Sequence, residues 1–569
     1  MKRNLLIVLL IASLFSCKST SKTEALPFSA YNYTTTKKVV AGRGAVVSAH
    51  VLASKSGTAI LKAGGNAFDA AVATQLSLAV VFPVAGNIGG GGFLVGTKAD
   101  GQTIAIDYRE MAPAAASRDM YIDSSGAART DRSQNTHLSS GVPGAVAGIL
   151  ASARYGRLEF SKLIAPAIEL AANGFVISAE EANSLNGLQG DLKKYNSVTP
   201  VFVKEAGWKA GDTLVQTDLA HTLERIRDKG LAGFYEGETA ALVEAEMKRG
   251  NGIITKADLK NYVAKTRDAH VFSYKGYKVV GMPMPSSGGI LVNQMMKMIE
   301  PYPIASMGFQ TAASVQLMTE AERRAYADRA EYMGDPDFYK VPMAKLGDSV
   351  YLVNRMKDYQ PGVAGKSSTV KAGLPNESTE TTHFSVIDNE GNAVSVTTTL
   401  NGGYGNRIVV GGAGFFLNNE MDDFSIKAGV PNMFGAVGGD ANSILPGKRM
   451  LSSMTPTIVL RDDKPFLVLG TPGGTTIPTS VFQSLVNIIE FNMSTEDALY
   501  KAKFHHQWLP DEVYIEPSFS KTAADSLRAM GYKLVTISGI GRTEIIRVLP
   551  DGKFEAVADN RGEDAAEGW

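Results

Sequence analysis

The chain has almost no cysteine and little tryptophan, one Cys and three Trp in 569 residues. A single cysteine excludes a disulfide framework and any zinc site built on several thiolates. Net charge is missing as well, because Lys+Arg and Asp+Glu both number 57. Without a surplus of positive charge, non-specific binding to a nucleic-acid backbone is not expected. Long apolar runs are absent too. The run Leu5–Phe15 is too short to span a bilayer, and no later run is long enough. The glycine run Gly89–Gly92 lacks the G-x-x-x-x-G-K-[ST] continuation of a phosphate-binding loop. No G-x-S-x-G elbow of a serine hydrolase occurs either.

What remains is an enzyme-sized globular chain, 44% hydrophobic and 20% charged, with 58 glycines at its turns. Lys2 and Arg3 ahead of the short apolar run read as a secretory signal, residues 1–16. Leu14-Phe15-Ser16-Cys17 resembles a bacterial lipobox, which implies a lipidated Cys17 followed by a polar tether over 17–37. The expected location is therefore outside the cytoplasm, on the periplasmic or cell-surface side, with membrane contact only through that lipid.

Residues 54–82 are Ala-rich and apolar nearly all round, the pattern of a buried helix pair. The turn AGNIGGGGF (85–93) follows, then strand-like FLVGT and IAIDYRE. Amphipathic helical patterns cover 144–174, 217–249 and 311–333. The stretch 361–380 has almost no large apolar residue and reads as an exposed loop. Further strands are expected near 454–460, 466–471, 532–537 and 543–548, with a helix near 478–491. The class is α+β.

Immediately after the polar loop, TTHFSVIDNEGNAVSVTTTLN has the alternation of a β-hairpin. With Asp388–Asn392 as a five-residue turn, Ile387 pairs with Ala393, and Thr381 falls opposite Thr399. One face then carries Thr381, His383, Ser385, Ser395, Thr397 and Thr399. Opposed residues have Cβ atoms roughly 4.5–5.5 Å apart, within reach of a hydroxyl contact. By pattern alone, so many Thr and Ser describe a solvated sheet face.

The same stretch resembles the segment around the nucleophile of the γ-glutamyltransferase (γ-glutamyltranspeptidase) family, N-terminal-nucleophile hydrolases with a four-layer αββα sandwich. GNIGGGGF, DYREMAP, SSGVPGAVAG, PSSGG, MDDF, GGDAN, LSSMTPTIV, GTPGG and FHHQWLP continue the likeness in order. It implies self-cleavage between Glu380 and Thr381, giving a large subunit that ends at 380 and a small subunit 381–569. The body of the large subunit is residues 38–380. Thr381 would then be the nucleophile, Thr399 its hydrogen-bond partner, and Gly473 and Gly474 the oxyanion hole. Arg109, Ser452 and Ser453 match the positions that bind the substrate's α-carboxylate. Asn401, Glu420 and Asp423 match those that bind its ammonium group.

Two positions depart from many bacterial relatives: Glu420 stands where they carry Gln, and Phe434 where they carry a lid Tyr. The implied substrates are γ-glutamyl amides such as glutathione, with water, amino acids or dipeptides as acceptors. No cofactor, metal or nucleic acid is implied, and adjacent His505 and His506 are a poor metal pair by themselves. A glutaryl or β-lactam side-chain acylase and a non-processing pseudoenzyme remain the alternatives. Glu420 and Asp423 argue against the acylase, since a glutaryl group has no ammonium.

Overall fold

The computed structural model describes residues 26–370, 381–427, 430, 432–433 and 438–569. The signal, Cys17, residues 371–380 and Phe434 lie outside the described residues. Among the described residues the main strands are β1 (Lys38–Ala41), β2 (Gly44–Ser48), β3 (Gly91–Thr97), β4 (Thr103–Asp107), β5 (Lys265–Arg267), β6 (His270–Tyr274), β7 (Tyr277–Gly281), β8 (Thr382–Asp388), β9 (Ala393–Thr399), β10 (Thr457–Arg461), β11 (Lys464–Gly470), β12 (Glu544–Val548), β13 (Phe554–Val557) and β14 (Ala565–Gly568). They form two seven-stranded antiparallel sheets, ordered β14-β2-β8-β9-β3-β4-β5 and β1-β13-β12-β11-β10-β7-β6. Each sheet takes strands from before residue 380 and after residue 381, so the two expected subunits share one fold.

Successive strand residues point to opposite faces, and here both faces are dry. Val47, Phe93 and Val95 of the first sheet meet Val280, Ile458, Val468 and Ile546 of the second. Their neighbours Val46, Leu94 and Val396 pack outward on Leu52, Phe68 and Val72 of helices α1 (Val51–Lys62) and α2 (Ala67–Val81). On the far side, Val279, Val459 and Leu467 pack on α3 (Gly288–Ile299), α4 (Ala312–Tyr332) and α5 (Thr476–Ile489). The result is a helix–sheet–sheet–helix sandwich. Every residue of α2 is buried, as its all-round apolar composition predicts. Asn66 starts that helix by accepting from Phe68 N and Asp69 N, while Asp69 accepts from Asn66 N at 2.9 Å.

Two expectations need correction. Residues 26–37 do not hang free as tether. Tyr31 Oη donates to Asn173 O at 2.9 Å, and Lys37 Nζ donates to the carbonyls of Asp559 and Asp564, both at 2.8 Å. The loop after 361 is also partly drawn inward. Trp508 Nε1 donates to Ser367 O and Val370 O, burying both residues. In each case an aromatic or lysine side chain supplies a donor that polar composition alone did not reveal.

Candidate active site

The β8–β9 hairpin closes on an Asx turn: Asp388 Oδ1 accepts from Glu390 N at 2.9 Å and Asn392 N at 3.0 Å. Its other oxygen accepts from Ala67 N at 2.8 Å, tying the turn to the start of α2. The register is Ile387 with Ala393, Ser385 with Ser395, His383 with Thr397 and Thr382 with Thr398. Thr381 immediately precedes this ladder and lines the same cleft as Thr399. The polar face of this hairpin is not solvated. It lies between the sheets, where Ser395 Oγ donates to Leu469 O and accepts from Thr457 N. His383 pairs with Thr397 and Ser385, and burial lowers its imidazole to about 3, leaving it neutral at physiological pH.

The glycine run packs against the end of β9. Asn87 Nδ2 donates to Thr399 O at 2.9 Å, and Asn87 Oδ1 accepts from Gly90 N at 2.8 Å. A β-carbon on Gly92 would come within 2.5 Å of Thr397 O. These glycines are demanded by close backbone packing, not by a phosphate. Thr399 Oγ1 then accepts from Asn401 N at 2.7 Å. Asn401 has φ 73°, a left-handed conformation that Asn tolerates.

Gly473 and Gly474 have φ 134° and 55° and immediately precede α5. Their carbonyls accept from Thr476 N and Ile477 N, so the turn merges into the positive end of a 14-residue helix. Tyr326 Oη of α4 donates to Thr475 O and anchors this turn from below.

Thr381, Thr399, Asn401, Arg109, Glu420, Asp423, Ser452, Ser453 and Gly474 line one cleft. Gly473 lines an adjoining cavity, which Thr381 also borders. The Arg109 fork is already engaged: Nη1 donates to Glu420 and Nη2 to Asp423, the two carboxylates expected to bind a substrate ammonium. Nε and Nη2 also reach Met450 O and Leu451 O at 3.3 Å. A substrate carboxylate must therefore displace a partner. Burial raises Glu420 well above the usual carboxylate range despite the attraction of Arg109, and it raises Asp423 as well. The PSSGG segment supports the serine pair through Ser287 N and Oγ, both donating to Ser452 O at 2.8 Å.

Four residues that sequence reasoning did not single out belong to this cleft or its wall. Arg329 of α4 donates to Ser453 Oγ at 2.9 Å and to Ser287 Oγ at 3.0 Å. Its segment ERRAYADRAEY lies in the amphipathic pattern over 311–333, and most of its charges are buried against 355–367 and 505–511. Glu110 lies 3.5 Å from Arg109, and burial brings it up to about 7. Asn432 donates to Asp423 Oδ1 at 2.9 Å, and Met433 N donates to Asp422 at 2.5 Å. His505 and His506 use their ring nitrogens on Thr479, Gln507, Trp508 and Asp511. Among the described residues no group of three or more His, Cys, Asp or Glu is disposed to hold a metal ion.

Comparison with known proteins decides the lineage. The profile of the family described as Gamma-glutamyltranspeptidase matches residues 53–569. The chain belongs to this family. It is 45% identical to the glutathione hydrolase proenzyme of Escherichia coli (strain K12), over 97% of each chain. Among solved structures, cephalosporin acylase from Bacillus halodurans superposes with TM-score 0.81 at 25% identity, covering 95% of this chain and 99% of that one. Helicobacter pylori gamma-glutamyltranspeptidase superposes with TM-score 0.56 at 42% identity, covering 60% of this chain and 97% of that shorter one. The sandwich is that of the N-terminal-nucleophile hydrolases, and the chain is an enzyme of that class. By sequence it lies nearer the glutathione hydrolases than the acylase.

Proposed function

We propose that the chain is a self-processing γ-glutamyltransferase that cleaves γ-glutamyl amides such as glutathione. One observation carries the reading: Thr381 heads a strand in a cleft that also holds Thr399, Gly474 and the Arg109–Glu420–Asp423 cluster. Cleavage at Glu380–Thr381 gives Thr381 a free α-amine whose ordinary pKa is about 7.7–8.0, so an unprotonated fraction can act as base near neutral pH. Thr381 Oγ1 attacks the γ-carbonyl, and the oxyanion is met by the peptide N–H groups of Gly473 and Gly474. The leaving amine takes the proton and departs. Water or the amine of an amino acid or dipeptide then attacks the ester and restores Thr381.

Recognition of the glutamyl head needs a cation for its carboxylate and acceptors for its ammonium. Arg109, with Ser452 and Ser453, supplies the first; Glu420, Asp423 and Asn401 supply the second. Export and anchoring through Cys17 belong to the same proposal, as does a lid that includes Phe434. The test is incubation with a chromogenic γ-glutamyl anilide, with and without glycylglycine. Release accelerated by glycylglycine indicates transfer, and release unaffected by it indicates a hydrolase. A glutaryl anilide cleaved in preference would make the chain an acylase. One uncut band on a denaturing gel with no release would make it a pseudoenzyme.

A further inference from the structure

Thr381 borders two spaces. The charged cleft takes the amino-acid head of the donor; on the other side lies an open cavity of about 500 Å³. One wall of that cavity is apolar, with Phe82, Phe175, Leu185 and Leu214. The wall nearest Gly473 carries Arg542, because Gly541 brings that segment against the glycine turn. A β-carbon on Gly473 would lie 3.4 Å from Gly541 Cα, and Arg542 N donates to Thr471 Oγ1 at 2.7 Å.

Two arginines line the cavity. Arg561 is saturated by Glu516, Asp559 and the carbonyls of Leu499 and Lys501. Arg542 is not. Its Nε donates to Asp564 at 3.0 Å, and its guanidinium lies 5.3 Å from the centre of the Phe82 ring. Among the described residues, neither terminal nitrogen has a hydrogen-bond acceptor, and Nη2 is buried in that state. A buried donor without an acceptor is costly, and a guanidinium steadied on one edge and one face is preorganised for a carboxylate. The cavity's own carboxylates do not meet this need. Glu181 is held by His50 and Glu563 by Ser178, while Glu180 is exposed toward solvent.

We propose that this cavity is the exit of the leaving amine and the entrance of the accepting amine, and that Arg542 binds the α-carboxylate of a peptide or amino acid there. The inference rests on the γ-glutamyl-transfer reading. A dipeptide spans roughly 7 Å when extended, which suits a ligand with its amine at Thr381 and its carboxylate further along the wall. In the step itself the acceptor's neutral nitrogen attacks the ester carbon of γ-glutamyl-Thr381. The C–N bond forms and the C–Oγ bond breaks. The proton lost by nitrogen passes through the Thr381 α-amine to Oγ1.

The experiment compares glycylglycine with glycylglycinamide, which keeps the amine and lacks the carboxylate, using the chromogenic anilide as donor. The processed wild-type enzyme should show a KM about tenfold lower for glycylglycine, as expected for one charge-assisted pair. Arg542→Gln should bring the two KM values within about twofold of each other, and Arg542→Lys should recover part of the difference. Equal KM values in the wild type, or discrimination intact in Arg542→Gln, would overturn the proposal. Should Arg542→Gln fail to process, Ser538→Asp serves instead, because it adds a negative charge at an exposed lining position. It should raise KM for glycylglycine about threefold more than for the amide; an unchanged ratio would again overturn the assignment. No anilide release by the wild type, with or without an acceptor, would defeat the transferase reading itself, and this inference with it.

Discussion

A β-carbon on Gly90 would lie 2.0 Å from the carbonyl oxygen of Thr399. The glycine run thus sets the position of the strand end that carries Thr399 and, through it, the backbone of Asn401. Gly90→Ala should therefore force the end of β9 outward, lowering stability by about 1–3 kcal/mol and slowing self-cleavage. A thermal melt and a time course of the two-band pattern on denaturing gels measure both. Processing at the wild-type rate would mean that the strand end absorbs the methyl without moving Thr399.

Thr381→Ala should leave a single uncut, inactive chain, since neither an N→O acyl shift nor an attacking oxygen remains. Thr381→Ser keeps the hydroxyl and should still cut, more slowly. The check is the same gel, with mass spectrometry of the new N-terminus. Efficient cleavage after residue 380 in the Ala variant would remove Thr381 from the reaction.

Glu110 is fully buried, and its oxygens accept no hydrogen bond from the described residues. Burial, opposed by Arg109, lifts its pKa from 4.5 to about 7. A carboxyl raised in this way contributes stability that is full below about 4.5 and is lost as pH rises through about 7. Glu110→Gln keeps the shape without the titration. Its melting temperature relative to wild type should accordingly rise between pH 5 and pH 8. A difference that stays constant, or shrinks, across that interval would show that Glu110 does not titrate there.

Much of this was legible in the sequence, for identifiable reasons. The hairpin register followed from one turn and simple counting, because Asp388, Gly391 and Asn392 allow few closures. The two-sided burial of β8 and β9 did not follow, since Thr and Ser on a strand look alike whether they face water or a second sheet. The residues matched by the motifs fall around two adjoining spaces, with Gly473 on the second. The engagement of Arg109 by Glu420 and Asp423 was hidden, because Arg109 is more than 300 positions from either carboxyl. Arg329 and Arg542 were missed for a different reason: an arginine carries no local mark of burial in the sequence.

That engagement shapes the last prediction. Arg109 is 1% exposed, and Glu420 and Asp423 are 1% and 14% exposed, so the guanidinium is already engaged by both carboxyls before substrate arrives. An incoming α-amino acid brings one ammonium and one carboxylate. The ammonium can take over Glu420 and Asp423 while the carboxylate takes the released guanidinium nitrogens, so each incoming charge meets an opposite one. This exchange requires a cation that reaches two acceptors at once. In Arg109→Lys the ammonium is a point donor on a flexible stem and cannot span both carboxylates. The loss should be about 1.5–3 kcal/mol, seen as a KM for the γ-glutamyl anilide raised about ten- to 150-fold. Self-cleavage, which needs no substrate head in the cleft, should be disturbed far less. Anilide kinetics on the processed protein, beside a gel that scores cleavage, separate the two effects. A KM unchanged from wild type would place Arg109 outside substrate recognition and leave it as a structural counter-ion to Glu420 and Asp423.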